Sequence, residues 1–128
     1  MEKDVWIGFD LGGTKMLTIA YRNDWKVIGR RRRKTKGRDG AENGVQRIIT
    51  TIHRLLQENE IAVERLAGIG IGCPGPIDLA KGRILTTPNL GWDDVEVEKS
   101  LTKAFDCPVR VINDVDAGVF GEYCFGAA

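Results

Sequence analysis

The feature that most constrains this chain is a change of hydrophobic period near Ala41. Before it, apolar residues come in short runs at 5–9, 16–21 and 25–28, the last two separated by Arg22-Asn23-Asp24. Runs of that length bounded by turn residues read as strands, and three in succession predict a meander. From Ala41 onward Val45, Ile48, Ile49, Ile52, Leu55 and Leu56 recur at i, i+3, i+4, i+7, i+10 and i+11, one apolar stripe on a helix that ends near Asn59. A second buried strand is expected over 66–72. Cys73-Pro74-Gly75-Pro76 stops it, because proline donates no backbone hydrogen bond and cannot extend a ladder. Asp93 and Asp94 suit the cap of a helix that carries Val97, Leu101, Ala104 and Phe105 inward; Pro108 closes it, 109–112 reads as a strand, and a last helix starts near Asp114.

The predicted order is β-β-β-α-β-α-β-α, an α/β chain with a five-stranded mixed sheet. That order matches neither a dinucleotide-binding fold of alternating units nor an all-β barrel. Right-handed crossovers make the linked strands parallel, so the strands ending at Asp10, Gly72 and Ile112 should finish on one sheet edge. Open α/β sheets bind ligands at that edge. The 128 residues suit a single domain, 1–128, with no internal repeat, low-complexity tract or linker.

Composition removes several function classes. Nineteen basic residues against eighteen acidic give a formal charge of +1, so no global field draws the chain to nucleic acid or to an anionic membrane. The longest apolar stretches, such as 69–76, are strand-sized, and the chain opens on Glu2, Lys3 and Asp4. A soluble cytoplasmic protein is the expectation. Cys73, Cys107 and Cys124 are odd in number and far apart, which argues against a disulfide framework or a CxxC metal site and for reduced thiols.

Four segments could carry chemistry. Asp10-Leu11-Gly12-Gly13-Thr14-Lys15 joins two predicted strands, and its glycines permit close backbone approach to an anion; the plainer alternative is a tight hairpin. It is neither a Walker loop nor a GxGxxG fingerprint. Asn113-Asp114 leaves a strand and opens a helix, where an aspartate can orient an attacking hydroxyl or merely cap the helix; taken alone, the cap is preferred. Asp116 reads as a first-turn carboxylate favoured by the helix dipole. The loops Gly72-Cys73-Pro74-Gly75-Pro76 and Pro88-Asn89-Leu90-Gly91-Trp92 offer backbone groups and an amide suited to a polyol, although proline and glycine also simply break elements, and Trp92 can anchor a loop by burial. Loops suited to phosphate, to a hydroxyl and to a nucleophile's proton thus converge on one predicted edge.

In this order and spacing DLGGTK, GCPGPID, PNLGW and NDVDAGVFGEY resemble the ROK family of bacterial sugar kinases, glucokinases among them, over essentially the whole chain. The resemblance implies an actin-like ATPase (ribonuclease H-like) domain. It implies that Asp10, Gly12, Gly13, Thr14 and Lys15 bind the phosphates of ATP, accompanied by Mg2+. By the same likeness Asp114 is the catalytic base, a role that overrides the cap-first reading, and Gly75, Asn89, Asn113 and Asp114 touch the hexose, glucose or a relative. The chain ends at Ala128, before the family's second phosphate motif, the glutamate and histidine of the sugar site, the cysteine-rich zinc motif and the adenine pocket. It is therefore expected to be the amino-terminal lobe of a two-lobe kinase, inactive alone and without zinc, with a homodimer as the expectation for the full-length form. Repressors of the family carry a helix-turn-helix ahead of the first motif. Here nine residues precede Asp10, so no DNA-binding module is expected.

The alternative of a different class is a non-catalytic sugar-sensing or interaction domain of the same fold. Arg30-Arg31-Arg32-Arg33-Lys34 resembles a nucleic-acid patch, but alternation along a strand splits it between two faces, as on a solvated edge that resists aggregation. The single His53 has no second ligand at metal spacing and reads as a partly exposed helix residue.

Overall fold

The computed structural model describes residues 2–12, 15–35, 40–73, 77–78, 82–84 and 95–113. In chain order the elements are β1 (Val5–Leu11), β2 (Lys15–Arg22), β3 (Val27–Lys34), α1 (Ala41–Glu58), a 3-10 turn (Val63–Arg65), β4 (Leu66–Cys73), β5 (Ile77–Asp78), β6 (Arg83–Ile84), α2 (Val97–Phe105) and β7 (Val109–Asn113). Five strands form one sheet in the order β3-β2-β1-β4-β7, while β5 and β6 pair as a separate hairpin. The first three strands are the antiparallel meander anticipated from their spacing, and β4 runs parallel to both β1 and β7. Asp10 lies opposite Gly72 and Gly72 opposite Ile112, so β1, β4 and β7 end on the same edge.

The two faces of the sheet differ for reasons visible in the strands. Val5, Ile7, Phe9 and Leu11 alternate onto the helix-covered face of β1 and are buried, beside Ile69 and Ile71 of β4 and Val109 and Val111 of β7. The stripe of α1 closes this core with Val45, Ile48, Ile52, Leu55 and Leu56, and α2 adds Val97, Leu101 and Phe105. Truncating a fully enclosed side chain such as Phe9 to alanine removes about 3–5 kcal/mol. On the opposite face Ile19 and Tyr21 gather Trp6, Leu17 and Trp25. Trp6 and Trp25 meet as tilted rings 5.6 Å apart between centroids, Tyr21 and Trp25 likewise at 5.8 Å, and the Trp6 indole donates to Asn23 Oδ1 at 3.0 Å. These contacts hold the turn between β2 and β3.

Three expectations are corrected. The third strand does not begin at Trp25, which sits at φ 61° in the turn, and it runs from Val27 through the arginines to Lys34 because β2 offers it a continuous ladder, Lys15 opposite Lys34 through Ala20 opposite Gly29. It is an edge strand, with Arg30, Arg32 and Lys34 exposed and Arg31 and Arg33 half-buried, as the alternation requires. Helix α2 starts later than expected: Glu96 is its N-cap residue and no side chain caps it, because Val95 is held on both sides by Ile84, with N–H to O distances of 2.9 and 2.7 Å. Asp93 and Asp94 lie outside the described residues. Ala104 is exposed, since the inward stripe runs Val97, Leu101, Phe105. The helix expected from Asp114 also lies outside the described residues.

Candidate functional site

At the edge where the parallel strands end, β1 and β2 are joined by the turn that contains Gly12. Its N–H donates to Lys15 O at 3.0 Å, and its carbonyl accepts from the Thr35 hydroxyl at 2.8 Å. A Cβ on Gly12 would stand 2.7 Å from Lys15 O, closer than side chains approach backbone, so glycine is demanded by closure of the turn. Both polar backbone groups of Gly12 are engaged. Any anion at this turn therefore relies on the residues after it, and Gly13 and Thr14 lie outside the described residues. Lys15 opens β2 with its side chain exposed and faces the exposed Lys34 across the ladder, which concentrates positive charge beside the turn.

Asp10 is half-buried one residue before the end of β1. Its ladder neighbours are Leu17 on β2 and Gly72 on β4, so the parallel side presents bare backbone next to the carboxylate. On the same edge Asn113 is the last residue of β7, opposite Cys73. Gly75, Asn89 and Asp114, the other sequence-predicted site residues, lie outside the described residues, Asp114 being the residue directly after Asn113. Asp10, Gly12, Lys15 and Asn113 are thus gathered at one end of the sheet.

Two supporting residues were not anticipated. Thr35, directly after the basic run that ends β3, is completely buried and buttresses Gly12. Glu98 of α2 accepts the Val111 N–H at 2.9 Å, two residues before Asn113. A helix glutamate normally signals a solvent-facing position. The Glu98 carboxylate also packs against Gly82, which sits at φ 62° and where a Cβ would collide with it.

Cys107 and His53 stand as their residue types suggested. Cys107 is a buried free thiol, and burial pushes its pKa from 9.0 up to about 11, so it stays protonated and unreactive near neutrality. His53 is half-buried, with its ring 4.8 Å from that of Phe105. Among the described residues no three His, Cys, Asp or Glu side chains converge as a metal site, and no helix is long and apolar enough to cross a membrane.

Comparison with known proteins supplies the wider frame. The chain is 34% identical over 128 residues to the glucokinase of Thermotoga maritima, covering 99% of this chain and 39% of that protein. It is 30% identical over 128 residues to a xylose repressor of Caldicellulosiruptor bescii, covering 98% of this chain and 32% of the repressor. The solved ROK glucokinase of Streptomyces griseus, in complex with glucose and AMPPNP, superposes with a TM-score of 0.76 at 27% identity, over 96% of this chain and 37% of that one. The chain thus spans less than half the length of these proteins, and its fold is the actin-like ATPase fold of the ROK sugar kinases. The family model described as "ROK family" matches residues 6–128, and this chain belongs to that family.

Proposed function

We propose that this chain is the amino-terminal lobe of an ATP-dependent sugar kinase that transfers the γ-phosphoryl group of ATP to a hexose hydroxyl. The observation that carries the proposal is the shared edge: Asp10, the Gly12 turn and Asn113 come together where three parallel strands end. Phosphoryl transfer consists largely of positioning two reactants and stabilising charge, which such an edge suits. Glucose and AMPPNP in the related Streptomyces complex support the same assignment of ligands.

The roles proposed for each position are those that the likeness to the ROK kinases implies. Asp114 accepts the proton of the attacking hydroxyl, while Asn113, Asn89 and Gly75 hydrogen-bond the sugar. Gly12 closes the turn, leaving phosphate contacts to Gly13, Thr14 and the exposed Lys15 amine. Mg2+ bound with ATP would neutralise charge on the phosphates, and Asp10 would be one of the turn residues that hold the nucleotide. A cytoplasmic location accords with ATP as donor. The lobe alone holds one wall of the reaction site, so turnover belongs to the longer protein.

The similarity to a xylose repressor favours one other reading, a sugar sensor without turnover. Asp114→Asn in the full-length protein separates the two. A general base contributes roughly 10²- to 10⁴-fold in rate, so turnover should fall by that factor while sugar affinity stays within a few fold, because the amide fills the same space. Normal turnover in the variant would refute the base assignment. Sugar binding without any turnover in the parent protein would favour the sensor.

A further inference from the structure

The arginine run does more than border the sheet. Strand β3 turns Arg31 and Arg33 toward α1, where Arg31 pairs with Glu58 and Arg33 Nη1 lies 3.4 Å from the Thr51 hydroxyl, a long contact with a neutral group. From α1, Asn43, Gln46, Arg47 and Thr50 follow at helical spacing and line with Arg33 an open surface groove of about 260 Å³. Arg54 lies one turn beyond Thr50. Among the described residues no carboxylate forms an ion pair with Arg33, Arg47 or Arg54. The guanidinium of Arg33 is held below its ordinary pKa, first by burial and then by the charges of Arg47, Arg54 and Arg31. Like charges gathered in a partly desolvated place raise the energy of the fold unless an anion compensates them.

We infer that Arg33, Arg47 and the Thr50 hydroxyl form an anion site between β3 and α1 that takes a phosphate group, free or as a monoester. Guanidinium groups present fixed pairs of donors that match the oxygens of phosphate two at a time, and a neighbouring hydroxyl adds a neutral donor. The site lies on the helix-covered face of the sheet and does not depend on the nucleotide reading of the Gly12 turn. A nucleic-acid strand fits it less well: Arg30, Arg32 and Lys34 project from the opposite face of β3, so the basic residues do not make one continuous track.

Amide nitrogen–proton spectra of the chain, titrated with inorganic phosphate, with glycerol phosphate and with sodium chloride at matched ionic strength, test the site. The expected result is saturable shifts at Arg33 and along 43–50 with either phosphate and not with chloride. A tighter response to glycerol phosphate would assign the site to esters, and equal responses to the free ion. Arg47→Gln should weaken binding about tenfold or more, the loss of a charge-assisted pair, with Arg47→Lys in between and Arg30→Gln unchanged. Shifts confined to the neighbourhood of Gly12 and Lys15, or reproduced by chloride, would overturn the inference. So would tighter, steeply salt-dependent binding of a single-stranded oligonucleotide that Arg47→Gln and Arg30→Gln weaken alike.

Discussion

Glu98→Ala tests how the end of β7 is held. In the described sheet β7 is an outer strand, and its Val111 N–H is received by the Glu98 carboxylate at 2.9 Å. Hydrogen bonds to charged groups contribute about 1.5–3 kcal/mol, and water reaches this half-buried site once the side chain is gone, so the loss should be about 1–2 kcal/mol. That corresponds to a fall in Tm of roughly 4–8 °C in a chain of this size. Glu98→Gln keeps an acceptor and should lose less than half as much. Gly82→Ala attacks the same bond from the other side. Its φ of 62° carries a penalty of about 1 kcal/mol for a side chain, and the new Cβ displaces the Glu98 carboxylate, which then releases Val111. Once Glu98 is already alanine, only the backbone penalty remains. Urea unfolding followed by circular dichroism should therefore give a double-mutant cycle with about 1–2 kcal/mol of non-additivity. Additivity within about 0.5 kcal/mol would refute the claim that Gly82 and Glu98 act on β7 through one carboxylate.

Thr35→Val leaves the Gly12 carbonyl without its buried donor and should lower stability by about 1 kcal/mol, with amide shifts concentrated in the turn between β1 and β2; spectral change spread evenly through the core would contradict this. The alkaline limb of stability belongs in part to Cys107. Its folded pKa is raised, so its contribution is complete below pH 9.0 and is lost as pH rises toward about 11, and Cys107→Ala should flatten that limb in a pH series of thermal melts. The acid limb belongs in part to Asp4, whose carboxyl is held below its ordinary 3.8 by the Arg65 guanidinium at 2.9 and 2.8 Å. Because that pKa is depressed, the contribution is present above about pH 3.8 and disappears as pH falls through the folded value, a loss that Asp4→Asn should abolish.

Much of the architecture was legible because burial imposes a period. The stripe Val45, Ile48, Ile52, Leu55, Leu56 specifies α1 and its inward face, and the order of strand-like and helix-like periods specifies both the meander and the parallel pair that follows it. What escaped notice has no period. The start of α2 is set by the backbone pairing of Val95 with Ile84, a long-range contact that capping propensities at Asp93 and Asp94 do not register. The β5–β6 hairpin consists of two-residue strands, too short to carry an alternation. The arginine run was correctly divided between two faces, yet Arg33 acquires its surroundings from α1, and composition alone did not bring Arg47 beside it. At the candidate site, Asp10, Gly12 and Lys15 drew attention through their glycine turn and Asn113 through the family resemblance, and their roles stand as proposals. Thr35 and Glu98 drew none, since each acts on backbone groups distant in sequence.

Hexose-dependent release of ADP from ATP tests the central claim most directly, measured for a protein in which this chain continues through the remaining length of its family and for residues 1–128 alone. The account predicts saturable ADP release by the longer protein that requires both hexose and Asp114. From 1–128 it predicts none, alongside a cooperative thermal transition showing that the lobe is folded. A longer protein that binds hexose yet releases no ADP would contradict the kinase reading, and brisk hexose-dependent release by 1–128 alone would contradict the claim that a second lobe is needed.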